Sequence, residues 1–156
     1  MPWGLGSVVE PNLPTSGMMN AMGVGVDLVD IERVEQLMRR HGERAIRRLL
    51  TERERIYCMS MPRPAQHIAA RLAAKEAAYK ALQRAGNARA VGWRDSEIVL
   101  NGDGSPTLQF HGRAKAAAAR LNATDALVSL THSVRSAAAV VILVSGGDAG
   151  ERSAAH

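Results

Sequence analysis

Apolar and polar residues along the chain follow two periods, one typical of helices and one typical of strands. The longest helical pattern begins at Pro64 and stops before Gly86, because proline suits a first helical position and glycine suits the left-handed residue after a helix. Its apolar stripe recurs at helical spacing and consists of Ile68, Leu72, Tyr79 and Leu82. We predict one helix of about 22 residues, or about 33 Å at about 1.5 Å per residue.

Charged residues fall on this helix at positions where apolar residues are expected. Lys75 lies on the apolar stripe, and a second line beside it contains Ala69, Ala73, Glu76 and Lys80. The two alanines leave the backbone uncovered, so a bulky group can approach it closely. Taken alone, Glu76 and Lys80 fit either an exposed ion pair worth about 0.3–0.5 kcal/mol or a functional site.

Runs of β-branched and apolar residues predict five strands, at residues 22–29, 96–100, 107–111, 126–130 and 137–144. The first strand contains Asp27 near its end. A carboxylate inside such a strand is either a partner for a neighbouring donor or a ligand for a cation. Gly23 and Gly25 in the same strand form a weak dinucleotide signal, which we discount because the third glycine and the later acidic residue are absent.

Shorter helical patterns lie between the strands. Asp30 is placed to cap a helix that Gly42 divides, and Thr51 with Glu54 forms a capping box that opens a helix ending near Met59. An alanine-rich helix follows at residues 113–121. The first of these helices carries arginines at Arg33, Arg40, Arg44 and Arg47. They fit either a solvated face or a docking surface for an acidic partner.

Composition narrows the classes of partner. The chain has 156 residues, which suits one domain, and its formal charge of +5 and pI near 10.1 indicate an anionic partner such as nucleic acid, a nucleotide or an acidic protein. Aromatic residues make up only 3%, too few for a platform that stacks bases, and no helix-turn-helix or zinc pattern is present. We therefore expect no nucleic-acid partner.

The single cysteine and the chain ends indicate a cytoplasmic domain. Cys58 excludes a disulfide within the chain and fits a buried small hydrophobe better than a nucleophile. The longest apolar run, residues 137–144, is shorter than the roughly 20 residues of a membrane span, and the first residues lack the pattern of a signal peptide. We predict a flexible extension at residues 1–20, a single domain at 21–145 and a flexible tail at 146–156.

The loop between the last two strands gathers groups that can hold a phosphate. It reads Thr131-His132-Ser133-Val134-Arg135-Ser136 and combines hydroxyls, an imidazole and a guanidinium. His132 is therefore either a solvated loop residue or a phosphate ligand.

Five motifs follow one another along the chain: Gly25-Val26-Asp27 with Arg33, Leu50-Thr51-Glu52, Ala73-Ala74-Lys75-Glu76-Ala77 with Lys80, Gly92-Trp93-Arg94-Asp95, and Ser129-Leu130-Thr131-His132. In this order they resemble the motifs of the holo-acyl-carrier-protein synthases, the small bacterial branch of the 4′-phosphopantetheinyl transferases. The resemblance runs from about Met22 to Val144. The family usually has serine where Thr131 stands, a change that keeps the hydroxyl.

The resemblance implies a fold, an activity and partners. The fold would be α+β, with a small antiparallel sheet packed against a long helix and shorter helices, assembled into a cytoplasmic homotrimer whose active sites lie between subunits. The activity would be Mg²⁺-dependent transfer of 4′-phosphopantetheine from coenzyme A to a serine of apo acyl carrier protein, with release of adenosine 3′,5′-bisphosphate, in fatty acid biosynthesis. Which carrier proteins are accepted does not follow from the motifs.

The resemblance also implies roles for single residues. Asp27 and Glu76 would hold Mg²⁺, which one or two carboxylates plus phosphate oxygens typically bind. Glu76 and Lys80 would be catalytic, with Lys80 near the departing phosphate; the motifs do not identify the base, for which Glu76 is one candidate. The residues expected at the coenzyme A phosphates are Arg71, Lys75, Lys80 and His132. Those expected at the acidic carrier protein are Arg33, Arg40 and Arg44.

Overall fold

The computed structural model describes residues 18–86 and 88–146. Its main elements, in chain order, are β1 (Asn20–Asp30), α1 (Ile31–Leu49), α2 (Glu52–Met59), α3 (Pro64–Leu82), β2 (Ser96–Leu100), β3 (Pro106–Phe110), α4 (Gly112–Arg120), β4 (Asp125–His132) and β5 (Ser136–Ser145). Most of the extension predicted at residues 1–20 and most of the tail predicted at residues 146–156 lie outside the described residues; within the described part, Asn20 begins β1. Within the described ranges, no helix is both long and apolar enough to cross a membrane.

The strands form two antiparallel units. β5 lies between β1 and β4 in a three-stranded sheet, and β2 pairs with β3 as a separate hairpin. The sheet register places Asp27 opposite Ala139 and Val26 opposite Val140. The α+β architecture predicted from the sequence is therefore confirmed, with each strand within three residues of its predicted bounds.

The long helix α3 forms the centre of the core, which explains why it is rich in alanine. Ala69, Ala73 and Ala77 are fully buried. A Cβ added at Gly25 of β1 would lie only 1.8 Å from the carbonyl oxygen of Ala77. A Cβ added at Gly23 would lie 2.3 Å from the carbonyl oxygen of Ala81, one turn further along α3. The strand therefore lies directly on the helix. The expectation that Ala69 and Ala73 leave room for a ligand is wrong, because the protein's own core covers them.

Several predicted helix boundaries agree with local geometry. Gly42 interrupts α1 with φ 56° and ψ −150°. Gly86, with φ 80°, follows a 3₁₀ turn at Gln83–Ala85, so α3 itself has 19 residues and is shorter than the predicted helix. The capping box of α2 is formed, with Glu54 N–H bonded to the Thr51 hydroxyl and Thr51 N–H bonded to the Glu54 carboxylate. Asp30 precedes α1 as predicted, but its side chain accepts a hydrogen bond from Ser136 Oγ at 3.3 Å instead of capping the helix.

The two faces of the sheet differ in their surroundings. Side chains alternate along β1, so one face of the strand packs on α3 while the other carries Val24, Val26 and Leu28, each more than 60% exposed. Register continues this apolar surface across the sheet to Val140 and Leu127. We call the surface formed by these five residues the outer sheet face. Apolar side chains standing together in solvent are typical of an interaction surface.

Candidate functional site

The contact between β1 and α3 brings three charged residues together. Asp27 follows Gly25 by two residues and so points to the same side of the strand, toward α3. Lys80 Nζ donates hydrogen bonds to Asp27 Oδ1 at 2.8 Å and to the carbonyl oxygen of Val26 at 3.0 Å. The hydrogen bond to Asp27 raises the pKa of Lys80 above its usual value. Lys80 therefore pairs across elements with Asp27, rather than within α3.

Glu76 completes this cluster from one turn earlier on α3. Burial raises the pKa of its carboxyl group, the negative charge of Asp27 raises it further, and the ammonium of Lys80 lowers it in part. The two carboxylates are thus close enough to interact. Together with one ammonium they leave an excess negative charge, which favours binding of a cation.

The cluster opens into a cavity of about 690 Å³ between β1, α3 and α1. Asp27 and Glu76 line it, and the α1 side contributes Arg33 and Arg40. Trp93 lines the same cavity from the loop before β2. The cavity therefore has a carboxylate side suited to a cation and a guanidinium side suited to an acidic group.

The carboxylate pair suits a hard divalent cation. Within the described residues, no cluster contains three or more His, Cys, Asp or Glu side chains arranged to hold a metal ion. Asp27 and Glu76 instead offer oxygen ligands from two residues, and one oxygen of Asp27 already accepts a bond from Lys80. Mg²⁺ needs no larger protein set when substrate phosphates and water fill its remaining positions. The residues present fit Mg²⁺ in the company of a bound phosphate.

The arginines predicted for a docking surface lie on both sides of the kink in α1. Arg33 and Arg40 line the cavity that contains Asp27 and Glu76, while Arg44 lines a neighbouring cavity of about 690 Å³ beyond Gly42. Trp93 borders both cavities. The structure thus places Arg33 and Arg40 at the cavity of the carboxylates and Arg44 at a cavity that shares Trp93 with it.

Two residues predicted to contact coenzyme A phosphates lie away from this cavity within one chain. His132 is exposed and contacts Gln66 Nε2, and Gln66 precedes Glu76 by about 15 Å along the helix axis. Arg71 is buried, with its guanidinium carbon 4.3 Å from the ring centroid of Tyr57. Its Nε is buried without a hydrogen-bond partner in the part of the chain that the structure describes.

Lys75 takes a different role from the predicted one. Its ammonium lies 2.8 Å from Glu54 Oε2 and donates to the carbonyl oxygens of Trp93 and Ser96. Burial lowers the pKa of Lys75, and the charge of Glu54 raises it in part. Because these acceptors use all three N–H donors, the prediction that Lys75 binds a phosphate does not fit the structure.

Sequence reasoning missed two groups of residues that shape the site. In the sequence Gly23 and Gly25 form only a weak dinucleotide signal, whereas in the structure they let the β1 backbone touch α3. The available signal was the pairing of two glycines on one strand face with an alanine-rich helix. Glu54 was recognised as a cap for α2, but nothing in the sequence indicated its ion pair with Lys75.

Comparisons with known proteins agree with the motifs. A family model for the 4′-phosphopantetheinyl transferase superfamily matches residues 23–139. A holo-[acyl-carrier-protein] synthase of Koribacter versatilis is 39% identical over 122 residues, which cover 78% of this chain and 97% of the relative. A holo-[acyl-carrier-protein] synthase of Alkalilimnicola ehrlichii is 42% identical over 125 residues, with 80% and 97% covered.

A solved structure shares the fold. The holo-(acyl-carrier-protein) synthase of Bacillus anthracis, solved in complex with CoA (3′,5′-ADP), matches with a TM-score of 0.65 at 28% identity, covering 83% of this chain and 100% of that one. The predicted family and fold class are confirmed by these matches. On its sequence and its fold, the chain belongs to the 4′-phosphopantetheinyl transferase superfamily.

Proposed function

We propose that this chain transfers the 4′-phosphopantetheine group of coenzyme A to a serine of apo acyl carrier protein, in the cytoplasm, for fatty acid biosynthesis. The serine oxygen bonds to the β-phosphorus, the bond from that phosphorus to the bridging diphosphate oxygen breaks, and adenosine 3′,5′-bisphosphate leaves. The observation that carries the proposal is the convergence of Asp27, Glu76 and Lys80 at a cavity with arginines on its other side. Family membership supports the choice of reaction.

Asp27 and Glu76 are the residues we assign to Mg²⁺. When bound, the ion supplies positive charge that offsets the charge of the diphosphate during phosphoryl transfer. Lys80 holds Asp27 in place through its 2.8 Å bond and adds a positive point charge beside the phosphate site. Glu76 is one candidate to accept the serine proton, because it lies next to Asp27 at the cavity where the serine would enter.

Acyl carrier protein is the partner we assign to α1. Arg33, Arg40 and Arg44 form a surface that would complement an acidic protein. Because Arg33 and Arg40 also line the cavity with the carboxylates, a carrier bound there would present its serine toward the reacting phosphate. Exposed charge pairs of this kind are screened over a Debye length of about 8 Å at physiological salt, so added salt is expected to weaken carrier binding.

We further propose a homotrimer in which neighbouring subunits complete each site. The outer sheet face gives the apolar area that an association of copies would bury. Association would also account for His132, which lies far from Glu76 in its own chain yet is exposed for contact with a ligand held by a neighbour. Replacing Val26 with lysine should shift the mass measured by light scattering to that of a monomer. An unchanged mass would contradict the use of this face.

Mass spectrometry of the carrier protein tests the activity. Apo acyl carrier protein incubated with this chain, coenzyme A and Mg²⁺ should gain the mass of phosphopantetheine on its serine. Asp27→Asn and Glu76→Gln should each reduce turnover by about 100-fold or more while the circular dichroism stays unchanged. Asp103→Asn, in the exposed hairpin turn, serves as the matched control and should transfer at the original rate. No mass gain with a verified substrate would refute the proposal.

A further inference from the structure

We propose that the buried pair of Glu54 and Lys75 is a positioning pair for the transfer reaction, acting by fixing the Trp93 turn as a wall of the Asp27–Glu76 cavity. The Trp93 turn is the 3₁₀ turn Trp93–Asp95. The inference rests on the proposed function, because the positioning matters only if chemistry takes place in that cavity.

The ammonium of Lys75 donates all of its hydrogen bonds to acceptors within the protein. Its side chain is only 1% exposed, and its hydrogen bonds to Trp93 and Ser96 hold the first residue of the turn and the residue that follows it. A buried lysine bonded to two backbone carbonyls and one carboxylate has no donor left for a substrate. It acts instead on the backbone position of the loop.

Glu54 holds Lys75 and extends the connection to β2 and α2. Its side chain is completely buried, its Oε1 accepts the N–H of Ile98 at 2.9 Å, and its Oε2 accepts the N–H of Thr51 at 2.9 Å. The pair therefore joins the start of α2, the middle of α3, and the backbone on both sides of the Trp93 turn. Removing either partner would leave an uncompensated buried charge.

The indole of Trp93 is what this framework presents to the cavity. Trp93 is 39% exposed and borders the cavity that contains Glu76, the cavity beside Arg44, and a smaller one of about 240 Å³ that Lys75 and Glu76 also line. Lys75 and Glu76 are adjacent in α3, so one helical turn positions both the carboxylate and, through Lys75, the Trp93 turn that lines the same cavity. A shift of the turn would change the shape of the cavity without moving Glu76.

Fluorescence measures the position of the wall without any activity. The chain contains two tryptophans, Trp3 and Trp93, so a Trp3→Phe background makes Trp93 the sole emitter. In that background, Lys75→Met should increase quenching of Trp93 by acrylamide. Lys115→Met, at an exposed lysine of α4, is the matched control and should leave quenching unchanged. Equal quenching in a folded Lys75→Met variant would overturn the proposal.

A double-mutant cycle measures whether Lys75 acts through Trp93. Lys75→Met and Trp93→Ala should each lower kcat/KM by about 10-fold or more, and their combination should lose no more than the worse single variant. Trp93→Phe should restore most of the lost kcat/KM. Independent, multiplying losses, or a Trp93→Ala variant as active as the original chain, would overturn the proposal.

Separate results distinguish failure of the positioning inference from a variant that does not fold and from failure of the proposed function. If Lys75→Met does not fold, the Glu54→Leu/Lys75→Met double variant replaces it, because apolar residues of similar size remove the buried charge on both sides. A purely structural pair would give this double variant the original quenching and kcat/KM, which would overturn the inference. An original chain that transfers nothing would refute the proposed function, whereas the quenching result would still stand.

Discussion

The close contact between β1 and α3 makes Gly25→Ala a demanding test of the fold. The added Cβ would lie 1.8 Å from the Ala77 carbonyl oxygen, 2.7 Å from the Ala77 carbonyl carbon and 2.9 Å from the Ala81 nitrogen. All three atoms belong to backbone in the middle of a helix, so no side chain can rotate away. The strand and the helix must separate by about 1.6 Å before the 1.8 Å distance to the Ala77 oxygen reaches the 3.4 Å of an ordinary contact.

This separation should reduce both stability and activity. Overpacking of this kind typically costs about 1–3 kcal/mol of stability. Because the contacted backbone atoms cannot move aside, we expect a cost near the upper end of that range. Because Asp27 is two residues further along β1, the same movement stretches its 2.8 Å bond to Lys80. We expect turnover to fall together with the free energy of unfolding.

Urea unfolding followed by circular dichroism measures the free-energy change. Gly102→Ala is the matched control, because a Cβ there meets nothing within 4 Å, and it should change the free energy of unfolding by less than about 0.5 kcal/mol. If Gly25→Ala were as stable as Gly102→Ala, the argument that backbone contact fixes the strand on the helix would be refuted.

Three further predictions concern other parts of the chain. Burial by itself raises the pKa of Glu97, but hydrogen bonds from Thr51 and His111 outweigh it, so the net shift is downward. Glu97→Gln should therefore be less stable than the original chain at neutral pH. The difference in urea midpoint should begin to shrink as the pH falls below the ordinary glutamate pKa of 4.5, where the unfolded chain takes up the proton, and should disappear only below the lowered pKa of folded Glu97; a difference independent of pH would contradict this. Burial raises the pKa of Cys58 to about 11, so a thiol reagent at about pH 8 should label Cys58 only after the chain unfolds. The labelling is measured by absorbance, and rapid labelling of the folded chain would refute the burial of Cys58. Arg33→Ala should raise KM for the carrier protein several-fold with little change in KM for coenzyme A, whereas Arg120→Ala on α4 should change neither; equal effects of the two substitutions would exclude α1 as the docking surface.

Local signals in the sequence are sufficient to predict most helix and strand boundaries. Pro64, Gly42 and the capping box at Thr51 act through hydrogen bonds and dihedral angles within a few residues, so sequence spacing records them directly. The residues that converge from distant elements were found by a different route. Family motifs pair Asp27 with Glu76. The structure shows that the two residues come together because the glycines of β1 let this strand pack directly on α3.

The errors came from contacts between residues far apart in the sequence. Lys75 stood out as a charge on an apolar stripe, which is compatible with a ligand site or with a buried ion pair. Only the fold shows that Glu54 and the carbonyl oxygen of Ser96 surround it. The two alanines before Glu76 were similarly ambiguous, since small side chains admit a ligand or a neighbouring strand equally well.

The bond between Lys80 and Asp27 means that the site carries its own counter-ion. A tethered ammonium already sits on one oxygen of Asp27, so the two carboxylates are partly neutralised in the metal-free chain. On the proposed assignment of Mg²⁺ to Asp27 and Glu76, the ion would have to share Asp27 with the Lys80 ammonium, which cannot diffuse away from the site. Binding of the ion should then depend on the phosphates of coenzyme A, so that the metal and the substrate would bind in the same step.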